Sequence, residues 1–505
     1  MSEQGAVSGM WRRQREEAVI EANPQTSQSH ANYEMPVQRD VPADDVGWED
    51  KGWGGNYALY KDISGITRLS VGDVVWGHKR FWDKNYMDFI WNDTHYKMML
   101  PTAQAWMKDK MAQSLYRSAA KEKFIPDTLP AEIMLENYQT IYKQKTEYFN
   151  VEAYWYCPEM LKDAALLWLD FNLFLLKKGM GLWDGHHLNL VVQDNAQVKW
   201  CDIGSIVMLH GAPEFIAIKQ FIQWFFYPLV LRAKCCSSGK LMRTCLRHED
   251  TLTHDLFSQL HLLDQQLIFR GNRLEILTAL RENIASLDFE YEKTMWRDYR
   301  PPQNWDGEAQ RNRDEILLRV LKALNPKTVI EIGANSGRFS CYAGEIGAEV
   351  LCMDPDEGAI SQAYRHIRGT KLNVKPIVAG LGEKNEKPAD LAIALALTHH
   401  LFISQHYPWS YIAHELAAYS AQNLITEYMP NGLHGKDAPP DGLPPGYSLE
   451  AFQKQLARFF SSVELIDYPP LSDEVPRIFL LCRNKKNTAD AADRPHWYFQ
   501  HAEYQ

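Results

Sequence analysis

From Glu315 onward, short apolar runs alternate with stretches of helical spacing. The run "EILLRVLKAL" leads into apolar segments at "KTVIEIG", "AEVLCMD", "NVKPIVAG", "ADLAIALAL", "AQNLITEYM", "VELIDY" and "RIFLLCR". Near-continuous apolar strands joined by helices mark a parallel sheet covered on both faces. Only "PPLSDEVP" separates the last two, too short for a helical crossover, so they are expected to pair antiparallel. The pattern predicts a seven-stranded, Rossmann-like α/β domain.

The earlier half has a different texture. From Trp53 to about Met295, aromatic-rich strand-like pieces mix with long helical patterns such as "YCPEMLKDAALLWLDFNLFLLKKG" and "APEFIAIKQFIQWFFYPLVLRA". They predict a mostly helical α+β domain. The polar, proline-paired stretch "WRDYRPPQNWDGEAQRNRD" reads as a joint between the halves. The Gln-rich opening lacks periodicity and the apolar core of an export signal, so it reads as a disordered tail. The expected organisation is a tail at 1–48, one domain at 49–295, a linker at 296–314 and the α/β domain at 315–505.

Composition narrows this only slightly. A chain of 505 residues, 45% hydrophobic and 12% aromatic, has material for roughly two to four packed domains. The formal charge of −10 disfavours nucleic acid as partner, because a nonspecific binder needs a basic face. Asp170 and Asn172 interrupt the longest apolar run, so no membrane span is expected. Eight scattered cysteines, with only Cys235 and Cys236 adjacent, show neither a zinc pattern nor a disulfide framework, which fits a reducing cytoplasm.

Candidate chemistry starts at "VIEIGANSGRF". The strand ends at Gly333 and Gly337 opens a helix, whose free N–H groups can meet a ligand. A nicotinamide-type fingerprint wants glycine where Asn335 stands, which disfavours dinucleotides. The second strand finishes at Asp354, twenty-one residues past Gly333, where a carboxylate can accept from both hydroxyls of a ribose. With the antiparallel last strand, this resembles the class I S-adenosylmethionine (SAM)-dependent methyltransferase fold. The resemblance implies that Glu331, Gly333, Ala334, Asn335 and Gly337 hold the methionine end of SAM and that Asp354 holds the ribose. Gly380 and Leu381 would line the adenine pocket, Met353 or Pro355 would flank the ribose, and Leu397 would close the site from strand four. Glycine turns also occur in α/β sheets without this function.

Strand four runs into "LALTHHLF", placing Thr398, His399 and His400 where this fold presents the transferred methyl group. A histidine there can take a proton from a hydroxyl or amine. Either imidazole could instead cap or pack under the next helix. Glu427, ending strand five, is a further candidate for binding the acceptor.

In the other half, Asp184 of "DGHHLN" precedes Asn189 by five residues, and Asp202 of "CDIGS" follows Asn189 by thirteen. These intervals match the catalytic Asp, metal-binding Asn and metal-binding Asp of protein kinases. Leu182 and Trp183 replace the usual His and Arg, no glycine-rich phosphate loop precedes them, and Lys79 is a conjectural phosphate-binding lysine. A degenerate kinase-like domain is expected. Mg-ATP would enter only if that site were active, with Asn189 and Asp202 as the Mg²⁺ ligands; no other metal is expected.

The segments "YWYCPEMLKDAALLWLDFNLFLLKKGMGLWDGHHLNLVV", "CDIGSI", "IGANSGRFS" and "ALALTHHL" together resemble a bacterial group of SAM-dependent methyltransferases that includes nodulation-protein relatives. In that group a kinase-like region precedes the methyltransferase domain. The segment "EYMPNGLHGKDAPPDG" departs from its usual pattern. The resemblance implies SAM-dependent methyl transfer to a small-molecule or saccharide acceptor, at oxygen. The alternatives are a bifunctional methyltransferase and kinase, or a non-catalytic binding platform. Acceptor and oligomeric state are not legible.

Overall fold

The structure, a computed structural model, describes residues 66–76, 85–92, 94–145, 147–209, 216–235, 238–247, 272–299, 311–383, 387–433, 438–440, 442–466 and 476–487. The tail expected at 1–48, Lys79, Cys236 and the middle of the expected linker lie outside them. Aromatic and polar residues in the first half make an antiparallel sheet. Strands β1 (Val75–Trp76), β2 (Tyr86–Trp91), β3 (Thr94–Met99), β4 (Thr128–Pro130) and β5 (Ile141–Gln144) lie in the order β1-β2-β3-β5-β4. Helix α1 (Lys110–Lys121) fills the connection from β3 to β4, and the Asp109 side chain caps it by accepting from the N–H groups of Met111 and Ala112.

Helix α2 (Pro158–Leu176) starts on a proline, which costs nothing at a first turn. After it comes a hairpin of β6 (Leu190–Gln193) and β7 (Gln197–Trp200). The long apolar run beyond is helical but interrupted. A π turn at Ile222–Phe226 separates α3 (Ile216–Phe221) from α4 (Tyr227–Lys234), just ahead of Pro228, whose ring and missing N–H disrupt a regular ladder. Helices α5 (Lys240–Arg247) and α6 (Arg273–Ser286) follow, and two short strand pairs, Thr67–Leu69 with Ile133–Leu135 and Met180–Leu182 with Ile206–Met208, also belong to this half.

The second half alternates as its pattern requires: α7 (Arg311–Leu324), β8 (Thr328–Ile332), α8 (Arg338–Glu345), β9 (Glu349–Asp354), α9 (Glu357–Ile367), β10 (Val374–Val378), β11 (Ala389–Ala394), α10 (Trp409–Ala418), β12 (Ser420–Tyr428), α11 (Leu449–Phe459), β13 (Phe460–Ile466) and β14 (Ile478–Lys485). The seven strands stand in the order β10-β9-β8-β11-β12-β14-β13. Only β14 runs against its neighbours, and it pairs antiparallel with β13 as the short connection demands. Strands β8 and β10 are buried along their whole length, and Pro376 sits in β10 at the sheet edge, where a missing donor is tolerated.

The described residues form one unit with a hydrophobic core running through both halves. The seam between them is polar and largely buried. Helix α9 lies against α2, where Tyr364 donates to Asp163 at 2.5 Å and Ser361 donates to Glu159 at 2.7 Å. Buried Arg232 meets Glu357 at 2.9 Å, and Lys375, fully enclosed, meets Glu349 at 2.6 Å and Glu147 at 3.0 Å.

Candidate active site

The turn after β8 is shaped by three left-handed residues. Gly333 has φ 71°, Asn335 φ 52° and Gly337 φ 81°; glycine takes this conformation without strain and asparagine tolerates it. The Met353 carbonyl pins the turn by accepting from the N–H groups of Gly333 at 2.9 Å and Ala334 at 3.0 Å. A side chain on Gly337 would press Cys352 Sγ at 3.1 Å, so that glycine lets α8 close on β9. Leu397 stands over Gly333, 3.4 Å from where a Cβ would be.

Two buried carboxylates flank this turn. Burial lifts Glu331 to about 7, with the Ser340 hydroxyl, 2.5 Å away, pulling the other way. Burial likewise lifts Asp354 to about 6, against backbone N–H groups of Asp356 and Asn335, each at 2.8 Å. Both acids are therefore desolvated, and of the two only Glu331 feels a cation, the Arg313 guanidinium, which opposes the upward shift without overcoming it. Pro355 and Gly380 come together beside them, with a Cβ on Gly380 placed 3.9 Å from that of Pro355, and Leu381 is half-buried.

The tip of β11 faces this cradle. Ala396 adopts φ 54°, and the chain then turns through Thr398, whose hydroxyl donates to the Glu427 carbonyl at 2.6 Å, into a π turn at His400–Ser404. The imidazoles of His399 and His400 lie 4.1 Å apart; His399 is buried and His400 is half-buried. Of the two, His400 is the one a ligand can reach. Glu427 lies beneath the tip, not on its surface. It is fully buried and accepts from Arg477 at 2.9 Å, Arg313 at 3.2 Å and the Ala396 N–H at 2.6 Å. Burial opposes its ionisation, but the two guanidinium groups hold its carboxyl below the usual range.

Trp296 was not foreseen. Its carbonyl accepts from the Asn335 side chain at 2.6 Å, and its ring meets His400 edge-on at 4.7 Å. Nearby, Thr294 donates to Asp356 and the Arg297 carbonyl accepts from Gln362. Residues 294–297 thus strap the glycine turn, the start of α9 and the tip of β11 together. A tryptophan inside a polar, proline-rich stretch was the only signal for this strap.

A second polar cluster forms in the first half. Asn189 donates to Asp184 at 2.8 Å, and Asp202, just past β7, accepts from the N–H groups of Gly204 at 2.9 Å and Ser205 at 3.1 Å. Lys97 on β3 joins them electrostatically, bonding to Asp88 at 2.8 Å. Burial alone would raise Asp88, yet Lys97 and His95 bring it down to about 2. A lysine among apolar neighbours in "HYKMM" was the available signal for Lys97, and the conjectured Lys79 lies outside the described residues. Tyr86 covers the cluster: its ring lies 4.2 Å from the Lys97 ammonium, and a Cβ on Gly204 would fall 2.2 Å from it. Asp202 is 6% exposed, Tyr86 4% and Lys97 1%.

The sheet order with its one reversed strand, the left-handed turn and the carboxylate pair agree with the fold expected of a class I SAM-dependent methyltransferase. The residues present fit SAM: Glu331 would face the charged methionine end and Asp354 the ribose hydroxyls. No protein-family model matches the chain. It is similar to the nodulation protein NoeA of Rhizobium meliloti (strain 1021), with 25% identity over 325 residues covering 54% of this chain and 65% of that protein. The match thus spans just under two thirds of that relative's length. Among solved structures, the N-methyltransferase NodS of Bradyrhizobium japonicum with bound S-adenosyl-l-homocysteine overlaps 36% of this chain and 92% of its own, at 15% identity and a TM-score of 0.29. The magnesium protoporphyrin IX methyltransferase ChlM of Synechocystis with bound SAM overlaps 35% and 80%, at 18% identity and a TM-score of 0.27.

Proposed function

We propose that the chain transfers the methyl group of SAM to an oxygen of a saccharide or other small-molecule acceptor. The observation that carries this reading is the left-handed turn at Gly333–Gly337 set between two desolvated carboxylates and facing His400. SAM supplies a methyl group already activated on a sulfonium, so the protein's work is alignment and proton removal. Asp354 accepts from the ribose hydroxyls, Glu331 balances the charge of the methionine end, and Pro355, Gly380 and Leu381 flank the adenine. His400 takes the acceptor proton. Glu427, held by two arginines, fixes the strand tip under His400. Methyl-labelled SAM incubated with the protein and a cell lysate tests the reading, which expects label on a small hydroxylated or saccharide-bearing product. Label confined to protein or RNA would contradict it.

The kinase-like half serves as scaffold in this reading, because Tyr86 fills the space above Asp202 and Lys97 that a nucleotide's phosphates and metal need. The assembled Asp184, Asn189, Asp202 and Lys97 favour a second reading, that of a bifunctional kinase and methyltransferase. Mg²⁺-dependent substrate phosphorylation that Asp202→Ala abolishes would establish it, and unaltered methyl transfer in that variant with no phosphorylation in the parent supports the scaffold.

A further inference from the structure

A cleft of about 560 Å³ opens where the "DGHHLN" loop, α5 and the loop after β10 meet, within the range of small-molecule sites, roughly 300–1,000 Å³. Its apolar lining is mainly aromatic: Tyr154, Trp155 and Trp224, with His186 and His187 packed on Trp224 at 4.5 and 4.6 Å. Its polar groups carry both signs. Glu152 and Glu383 line it with Arg247, whose guanidinium rests 4.8 Å from each of the Tyr154 and Trp155 rings and 3.4 Å from Glu383.

We propose that this cleft is a binding site for a neutral saccharide. Aromatic ring faces carry negative potential and attract the weakly positive C–H faces of a pyranose, whereas a lipid chain would call for an aliphatic trough. Carboxylates and a guanidinium offer acceptors and paired donors to adjacent hydroxyls. Two carboxylates against one guanidinium repel phosphate-bearing ligands, which sets nucleotides aside. The cleft also has a line to the cofactor cradle: Glu383 accepts from the Gly380 N–H at 2.7 Å, and Gly380 is the residue read as flanking adenine. The saccharide is therefore held at the adenine side, away from His400, as the grip on a longer acceptor. This deepens the acceptor reading and rests on it for the cleft's purpose, but not for its chemistry.

The test uses the full chain with three probes, cellotriose, mannotriose and chitotriose, followed by saturation-transfer NMR and tryptophan fluorescence. At least one probe binds saturably, and Trp155→Ala or the milder, surface Glu152→Gln weakens it roughly tenfold or more with an unchanged thermal midpoint. Absence of saturable binding up to about 10 mM for all three, or equal binding by parent and both variants, overturns the proposal. SAM titrated into the same samples separates the two readings. SAM binding without saccharide binding removes the cleft alone; saccharide binding without SAM binding keeps the cleft and removes the methyltransferase.

Discussion

Asp354 and Glu331 would make the proposed cofactor site pH-sensitive. Both carboxyls are raised by burial, to about 6 and about 7, so the ligand-free protein holds their protons more tightly than the unfolded chain does. Their contribution to stability is full below about pH 4, near the unfolded values, and is lost as pH rises through 6 and 7. SAM reverses the sign, because it favours the ionised forms. Its affinity should rise between pH 5 and 8, by roughly tenfold for each unit through which a pKa falls on binding. Calorimetric titration across that range checks this, with Asp354→Asn expected to remove the lower part of the rise and Glu331→Gln the upper. A flat profile in the parent would show that neither acid meets the cofactor. His400 carries a second expectation: His400→Ala should lower turnover roughly 10²- to 10⁴-fold with little change in SAM affinity, while His399→Ala acts mainly on stability. Steady-state kinetics with the identified acceptor decide it; equal, mild effects from both would leave the base elsewhere. At this scale the sequence was readable where spacing encodes local geometry, as in the left-handed turn at Gly333 and Gly337 and the strand end at Asp354. Arg313 and Trp296 were not readable, since each acts through partners far away in sequence.

Elements were legible where one periodicity dominates. All seven strands of the second half and the reversal of β14 follow from apolar runs and one short connection. The five-stranded sheet of the first half is less visible because its strands are short and mix polar with aromatic residues. Least visible is the seam, whose residues look like ordinary surface charges until α9 is laid on α2. Its energetics follow from burial. Lys375 is fully enclosed between Glu147 and Glu349, so Lys375→Met takes the buried ammonium from two carboxylates, leaving Glu147 to Lys145 at 3.4 Å and Glu349 to backbone N–H groups, and should cost about 3 kcal/mol. Arg365, half-exposed on Glu159 at 2.5 Å, should cost no more than about 1 kcal/mol as Arg365→Ala. Urea denaturation of the two variants measures the contrast, and similar midpoints would mean that the seam is not a structural joint.

At the scale of the whole molecule, the strap at residues 294–297 leaves the first half to cross the mouth of the cradle in the second. Buried ion pairs and a shared core tie the two halves. In the proposed function, the first half would matter to methyl transfer through Trp296, which bonds Asn335 of the glycine turn and meets His400 edge-on. The proposed function rests on SAM binding at the Gly333–Gly337 turn. Its most direct measurement is calorimetric titration of SAM into the full chain near pH 8, for the parent and for Gly333→Val, in which a β-branched residue is forced to φ 71°. The account predicts a dissociation constant of roughly micromolar order for the parent and no detectable binding for a variant that keeps the parent's circular dichroism. No heat from the parent, or the same constant from both proteins, would contradict it.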